Sequence, residues 1–224
     1  MGTEIRHPLF ARFFDRLSRT MEPEVGPRRD ELLAGLTGRV LEIGAGNGIN
    51  FARYPTSVDE VVAIEPEPYL RAKAQQAAEA TPLRVIVQPG VAEQLEFESE
   101  SFDAAVACLV LCSVPGLTPA LAELSRVLKP GGELRFFEHV RSDQPGKARI
   151  QSLADASHVW SWVGGGCHCS RDTVAAVRAA GFEIDQLSTR DVGPRWGLTN
   201  PHVLGHAHRP ASSQSGDGKP RPSG

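Results

Sequence analysis

Apolar residues recur along this chain in two rhythms, and each rhythm predicts an element. Phe10, Phe13, Phe14 and Leu17 fall at helical spacing, which predicts an amphipathic helix over 7–20. A turn is expected around Glu22 to Pro27, then a second helix over Arg28 to Leu36. Short apolar runs follow: Val40 to Ile43, Asp59 to Glu65, Leu83 to Val87, Ser101 to Leu111 and Glu133 to Glu138. Runs that are apolar nearly throughout belong to parallel strands covered on both faces. Between them lie an alanine- and glutamine-rich helix over 67–80, stopped by Thr81-Pro82, and a helix over Pro119 to Leu128. Residues 144–162 read as an irregular helix, and Ser170 as the N-cap of a helix reaching Ala180, with Gly181 as its stop. Phe182 to Thr189 and His202 to His208 are expected to pair antiparallel at an edge. Strands alternating with helices predict an α/β fold, a doubly wound and mostly parallel seven-stranded sheet with an antiparallel edge strand. The expected division is a helical cap over 1–38, one domain over 39–210, and a disordered tail over 211–224 that carries nothing apolar.

Composition narrows the setting. A length of 224 residues suits one sizeable core, and a formal net charge of −3 makes no case for nucleic acid or an acidic membrane surface. No apolar run approaches the roughly 18–20 residues that span a bilayer. Glu4, Arg6 and Arg12 interrupt any signal-peptide core at the N-terminus. The four cysteines (Cys108, Cys112, Cys167, Cys169) show no Cys-x-x-Cys pairing, so a reduced cytoplasmic protein is expected, monomeric or homodimeric. Cys108 and Cys112 read as buried residues on one face of a strand. Cys167-His168-Cys169 offers adjacent ligands without a second pair, so no metal is expected.

The chemistry begins at Arg39 to Asn50. A short strand runs into Gly44, Gly46 and Gly48, with a helix expected to start by Ile49. Glycines at a strand end let a ligand approach bare backbone. A dinucleotide fingerprint would place its third glycine at position 49, where this chain has Ile49, and would prefer an apolar residue where Glu42 stands. An acid there suits a ligand with positive charge, such as S-adenosylmethionine. Glu65 closes the second strand about 20 residues on, where a carboxylate can hold both ribose hydroxyls. The backbone after the third strand, at Gly90 to Ala92, is placed to read an adenine edge.

Together these residues carry a family resemblance. Val-Leu-Glu-Ile-Gly-Ala-Gly-Asn-Gly, Glu65, Gly90-x-Ala92-Glu93-x-Leu95-x-Phe97, Ser101-Phe102-Asp103 and Leu128-Lys129-Pro130-Gly131-Gly132 resemble a class I S-adenosylmethionine-dependent methyltransferase of the type 11 group, with its Rossmann-like fold. Where that family commonly carries an aspartate for the adenine amino group, this chain has Val91. The resemblance implies S-adenosyl-L-methionine held by Glu42, Gly44, Ala45, Gly46, Asn50, Glu65, Pro66, Val91, Ala92 and Leu109. Leu109 to Val114, Phe137-Glu138-His139-Val140, Gly166-Cys167 and Pro201-His202-Val203 are similar to the methyltransferase-like alkyl-thiol S-methyltransferases. Those proteins carry an N-terminal membrane anchor not seen in this sequence, which implies a soluble relative acting on a small, rather apolar thiol.

His139, just past the fifth strand, is the expected catalytic base or substrate contact, and Phe14, Cys112, His158 and Trp162 the expected acceptor-side residues. Trp160 and Trp196 are further candidates to line a substrate cavity, and the N-terminal helix a candidate lid. O- or C-methylation of a phenol, quinone or similar metabolite is the alternative reaction. A cofactor-binding protein without turnover and a nucleotide oxidoreductase are the alternatives of other classes.

Overall fold

The computed structural model describes residues 7–157, 160, 165–193 and 197–211. His158, Trp162, Trp196 and the expected tail beyond Ala211 lie outside the described residues. The sheet is built from β1 (Gly38–Ile43), β2 (Val58–Ile64), β3 (Val85–Gln88), β4 (Phe102–Cys108), β5 (Leu128–His139), β6 (Glu183–Arg190) and β7 (His202–His208). Their order is β3-β2-β1-β4-β5-β7-β6. The first five strands in that order run parallel. β7 runs antiparallel between β5 and the outer strand β6. Chain order reverses between β1 and β4, the crevice where open α/β sheets bind ligands.

The helices are α1 (Pro8–Thr20), α2 (Glu22–Leu33), α3 (Pro68–Glu79), α4 (Leu117–Val127), α5 (Pro145–Ala156) and α6 (Thr173–Ala179). Alternate strand residues feed two cores. Leu41, Ile43, Val62 and Phe136 pack on the side of Leu121, Leu124 and Val177 of α4 and α6. Val40, Val61, Val106 and Phe137 pack on the side of Leu32, Leu33 and Ala74 of α2 and α3. Among the described residues no helix is long and apolar enough to cross a membrane.

Four local expectations fail, each for a visible reason. The turn expected at Glu22 to Pro27 is the first half of α2. Pro23 sits in the first turn, where its missing N–H leaves nothing unmade, and Glu22 is held by Arg53 and, at 3.5 Å, by Arg29. No α-helix starts at Ile49; Phe51–Arg53 makes a single 3₁₀ turn. Gly44, Gly46 and Gly48 all hold left-handed φ (59°, 56° and 76°), and an α-helix cannot pass through them. The cap of α6 is Asp172, whose side chain accepts from the Ala175 N–H at 2.9 Å, while Ser170 is drawn to Asp155. β4 stops at Cys108 rather than Leu111, because Leu109 turns to a φ of 58°. Cys112 therefore does not share a strand face with Cys108.

Candidate active site

The glycine turn is packed by its own protein. A Cβ on Gly44 would lie 2.3 Å from Cγ2 of Val110, and one on Gly48 2.7 Å from the Phe51 ring. Gly46 faces Phe14 of α1, whose ring would be 3.2 Å from an added Cβ. Asn47 anchors the same helix, donating from Nδ2 to Asp15 Oδ1 at 2.8 Å and to Ser18 Oγ at 2.9 Å. Below the turn Glu42 is only 2% exposed, and both its oxygens are engaged. Asn50 Nδ2 donates to Oε1 at 2.7 Å and the Tyr54 hydroxyl to Oε2 at 2.8 Å. Arg29 donates to Asn50 Oδ1 at 2.8 Å and to Cys108 Sγ at 3.3 Å. Burial pushes the Glu42 carboxyl up to about 7 against the pull of those hydrogen bonds and of Arg29. Glu42 thus stands below the turn as a buried acid held by Asn50 and Tyr54.

Glu65 ties the end of β2 to the turn. Its Oε2 accepts from the Gly46 N–H at 2.8 Å and its Oε1 from the Glu67 N–H at 2.9 Å. One donor per oxygen leaves each with a second lone pair. Pro66 is half-buried and its carbonyl accepts from Arg71 at 3.3 Å. Val91 pairs with Gln94 in a tight turn, and Ala92 is buried behind it. A cleft of about 220 Å³ opens beside that turn, lined by Ile64, Gln88, Gly90, Leu95 and Phe97. Leu109 reaches its left-handed conformation with its N–H donated to the Phe137 carbonyl at 2.7 Å.

The other end of the crevice is organised by Glu138. This wholly buried carboxylate accepts from the N–H groups of Val110 at 3.0 Å, Leu111 at 2.9 Å and Cys112 at 3.2 Å. Three donors from consecutive residues pin the turn that follows β4. A second segment clasps that turn: His168 N–H donates to the Cys112 carbonyl at 2.8 Å and Arg171 Nη1 to the Leu111 carbonyl at 2.7 Å. Gly166, with φ of 93°, lies so close that a Cβ would meet the Ser113 carbonyl at 3.0 Å. Gly165 leaves room for the ring of Phe10, which stacks on Phe14 with centroids 6.0 Å apart.

This clasp gathers Cys112, His139 and Cys167, whose sulfur and ring nitrogen atoms all lie within 4.8 Å of one another. His139 Nδ1 is 3.3 Å from Cys167 Sγ. Burial pulls the His139 imidazole down, while the Cys112 thiol and the Glu138 carboxylate push it up, and the balance lies above the ordinary value. Hydrogen bonding to Cys167 and burial hold the Cys112 thiol far up its range. Across the β5–β7 pairing His202 meets His139 edge-on, with centroids 4.5 Å apart. It is 1% exposed, and burial drives it down to about 3, so it is neutral.

Comparisons with known proteins bear directly on this crevice. Residues 41–136 match the family model of a methyltransferase domain. Over 181 residues the chain is 36% identical to thiol S-methyltransferase TMT1B of Mus musculus, covering 78% of this chain and 73% of that protein. It is 33% identical to thiol S-methyltransferase TMT1A of Homo sapiens over 78% of this chain and 72% of that one. The chain belongs to the S-adenosylmethionine-dependent methyltransferases. Its fold matches that of N-methyltransferase NodS from Bradyrhizobium japonicum, solved with S-adenosyl-L-homocysteine, at a TM-score of 0.65 and 17% identity, over 85% of this chain and 88% of that one.

Within this methyltransferase the structure brings Gly44, Gly46, Asn50 and Glu65 together at one end of the crevice and Cys112 and His139 at the other. Phe14 reaches the glycine turn from α1. Cys167 and Cys169 part company. Cys169 turns to Asp155, with its sulfur 3.3 Å from Oδ1, so the run Cys167-His168-Cys169 is not one cluster. Trp160 is half-buried, and its indole N–H has no partner among the described residues. A larger cleft of about 750 Å³ lies beyond the ends of β5 and β7, lined by Arg141, Asp143, Lys147, Asp172 and Thr189 among others, and no residue predicted for the site reaches it. Sequence reading passed over Glu138, Arg171 and His202 as site residues. An acid ending an otherwise apolar strand was the available signal for Glu138. Arg171 and His202 carry no local signal.

Proposed function

We propose that this methyltransferase transfers a methyl group to the sulfur of a small, rather apolar thiol. The observation that carries the reading is the triangle of Cys112, His139 and Cys167 at the carboxyl ends of β4 and β5. The names of the relatives at 33–36% identity support it. When bound, S-adenosylmethionine supplies a methyl group already activated by its sulfonium. The residues present fit that molecule. Glu65 keeps a lone pair on each oxygen for ribose hydroxyls, the cleft beside Gly90 suits an adenine edge, and buried Glu42 supplies negative charge below the glycine turn once it ionises, above about pH 7.

The work left to the chain is placement and deprotonation. Direct displacement needs the acceptor held about 3–3.5 Å from the reacting carbon, which a rigid wall achieves. Glu138 makes that wall rigid by taking the backbone N–H groups of Val110, Leu111 and Cys112, and the 165–171 clasp by donating to the carbonyls of Leu111 and Cys112. A thiol with a pKa of about 8–9 needs little help to ionise, and His139 stands where it can accept the proton. Phe10 and Phe14 close over both ends, giving an apolar roof that favours a small acceptor and excludes water. The test is a screen of small thiols, phenols and amines with methyl-labelled cofactor. Label is expected on thiols above all other classes; a phenol or amine methylated faster than every thiol overturns the proposal.

A further inference from the structure

We propose that Cys112, His139 and Cys167 form a site for a soft divalent cation, zinc by its chemistry, with an open position for the acceptor. The last clause rests on the thiol reading above; the metal site itself does not.

The donor set is the first argument. Two thiols and one imidazole are what zinc selects, and three protein ligands with one position open is the pattern of catalytic rather than structural zinc. The geometry is the second. Bond lengths of about 2.3 Å to sulfur and about 2.1 Å to nitrogen at tetrahedral angles place ligand atoms roughly 3.6–3.8 Å apart. The three atoms here already lie within 4.8 Å of one another, and His139 Nδ1 is 3.3 Å from Cys167 Sγ. Closing on an ion takes changes of about an ångström in the separations of those atoms.

The backbone around the two cysteines is also held in place. Glu138 takes the Cys112 N–H and His168 donates to the Cys112 carbonyl, so Cys112 is fixed from both sides. Cys167 sits between His168 and Gly166, whose missing side chain allows the approach to Ser113. No fourth ligand joins the group among the described residues. His202 stands next to His139 with both ring nitrogens unpartnered among those residues, yet it falls outside the cluster of ligand atoms. The sequence expectation of no metal rested on Cys167-His168-Cys169, a run the fold pulls apart. The ligands come instead from three places in the chain.

The chemistry balances. With the ion bound His139 is a ligand and no longer a base, so the acceptor R–SH releases its proton to solvent and binds the open position as R–S⁻, a stronger nucleophile at neutral pH than the free thiol. A carbon–sulfur bond then forms at that sulfur as the methyl–sulfonium bond breaks, with the electron pair left on the cofactor's sulfur. Thiolate and sulfonium charges cancel, and the neutral thioether is a weak ligand that leaves.

The test reads metal before activity. Full-length protein purified under reducing conditions is expected to carry about one zinc per chain, and Cys112→Ser and Cys167→Ser to carry less than about a tenth of that. Cys169→Ser, whose sulfur bonds Asp155, is expected to keep its metal. Cobalt(II) titrated into metal-free wild type should give a thiolate-to-cobalt charge-transfer band, a readout that needs no variant to fold. Addition of a small thiol should change that band. Absence of metal and of the cobalt band overturns the site even if thiols are methylated. A band indifferent to thiols overturns the acceptor position. Metal-loaded protein that methylates phenols but no thiol overturns the proposed function and leaves the metal site standing.

Discussion

The two ends of the crevice are built in opposite ways. The cofactor end is local: Glu42, the glycine turn, Asn50 and Tyr54 fall within thirteen consecutive residues, and Glu65 reaches back over one strand to the Gly46 N–H. The end proposed to hold the acceptor is assembled at long range, from the turn after β4, the end of β5 and the segment 165–171. Side chains hold the first through separate bonds, Glu65 taking the Gly46 N–H and Asn50 and Tyr54 engaging Glu42. At the second, one carboxylate satisfies three amides. A fold made this way can keep a constant cofactor grip while its acceptor wall changes.

The comparison breaks first at Glu138. Removing its carboxylate in Glu138→Ala leaves two buried N–H groups and one half-buried N–H group without partners and should cost about 3–5 kcal/mol of stability. Urea unfolding with cofactor present and absent checks this. Stability within about 1 kcal/mol of wild type would mean that water serves those amides equally well, and the acceptor wall would not be rigid.

The cofactor end answers to pH instead. Glu42 titrates near 7 in the folded protein, because burial penalises its charge, and at 4.5 when exposed. Between those values the folded state keeps a proton that the unfolded chain has released. Stability therefore falls as pH rises through that window, by about 3 kcal/mol in all. Glu42→Gln should remove this part of the slope while keeping an acceptor for Asn50. Unfolding curves for both proteins at pH 5 and pH 8 decide it: parallel losses would show that Glu42 stays ionised throughout.

That difference in construction also explains what could be read from the chain. β1, β2 and their flanking motifs were legible because apolar runs ending in Gly44 to Gly48 and in Glu65 put each ligand group beside its own strand. The doubly wound, mostly parallel sheet follows from the same alternation of strands and helices. The left-handed turn at Leu109 was not legible, because what ends β4 is Glu138, far along the chain. Cys167 was legible as a cysteine and not as a neighbour of Cys112. Pro23 and Pro27 misled for the reverse reason: ion pairs from Arg29 and Arg53 hold α2 across a stretch that looks like a turn.

The smallest effect sharpens the contrast most. Glu65→Ala should weaken cofactor affinity by roughly 1–3 kcal/mol, through unpaired ribose hydroxyls and a Gly46 N–H that loses its acceptor. Calorimetry with S-adenosyl-L-homocysteine measures that loss without turnover. Because Glu65 touches no atom of the clasp, the acceptor wall should be intact, and saturating cofactor should restore most of the rate. A rate that stays low at saturation would mean that the glycine turn, loosened at Gly46, had carried Val110 with it through Gly44 and disturbed the acceptor wall. The two ends would then be one mechanical unit, and the separation drawn from their hydrogen bonds would fail.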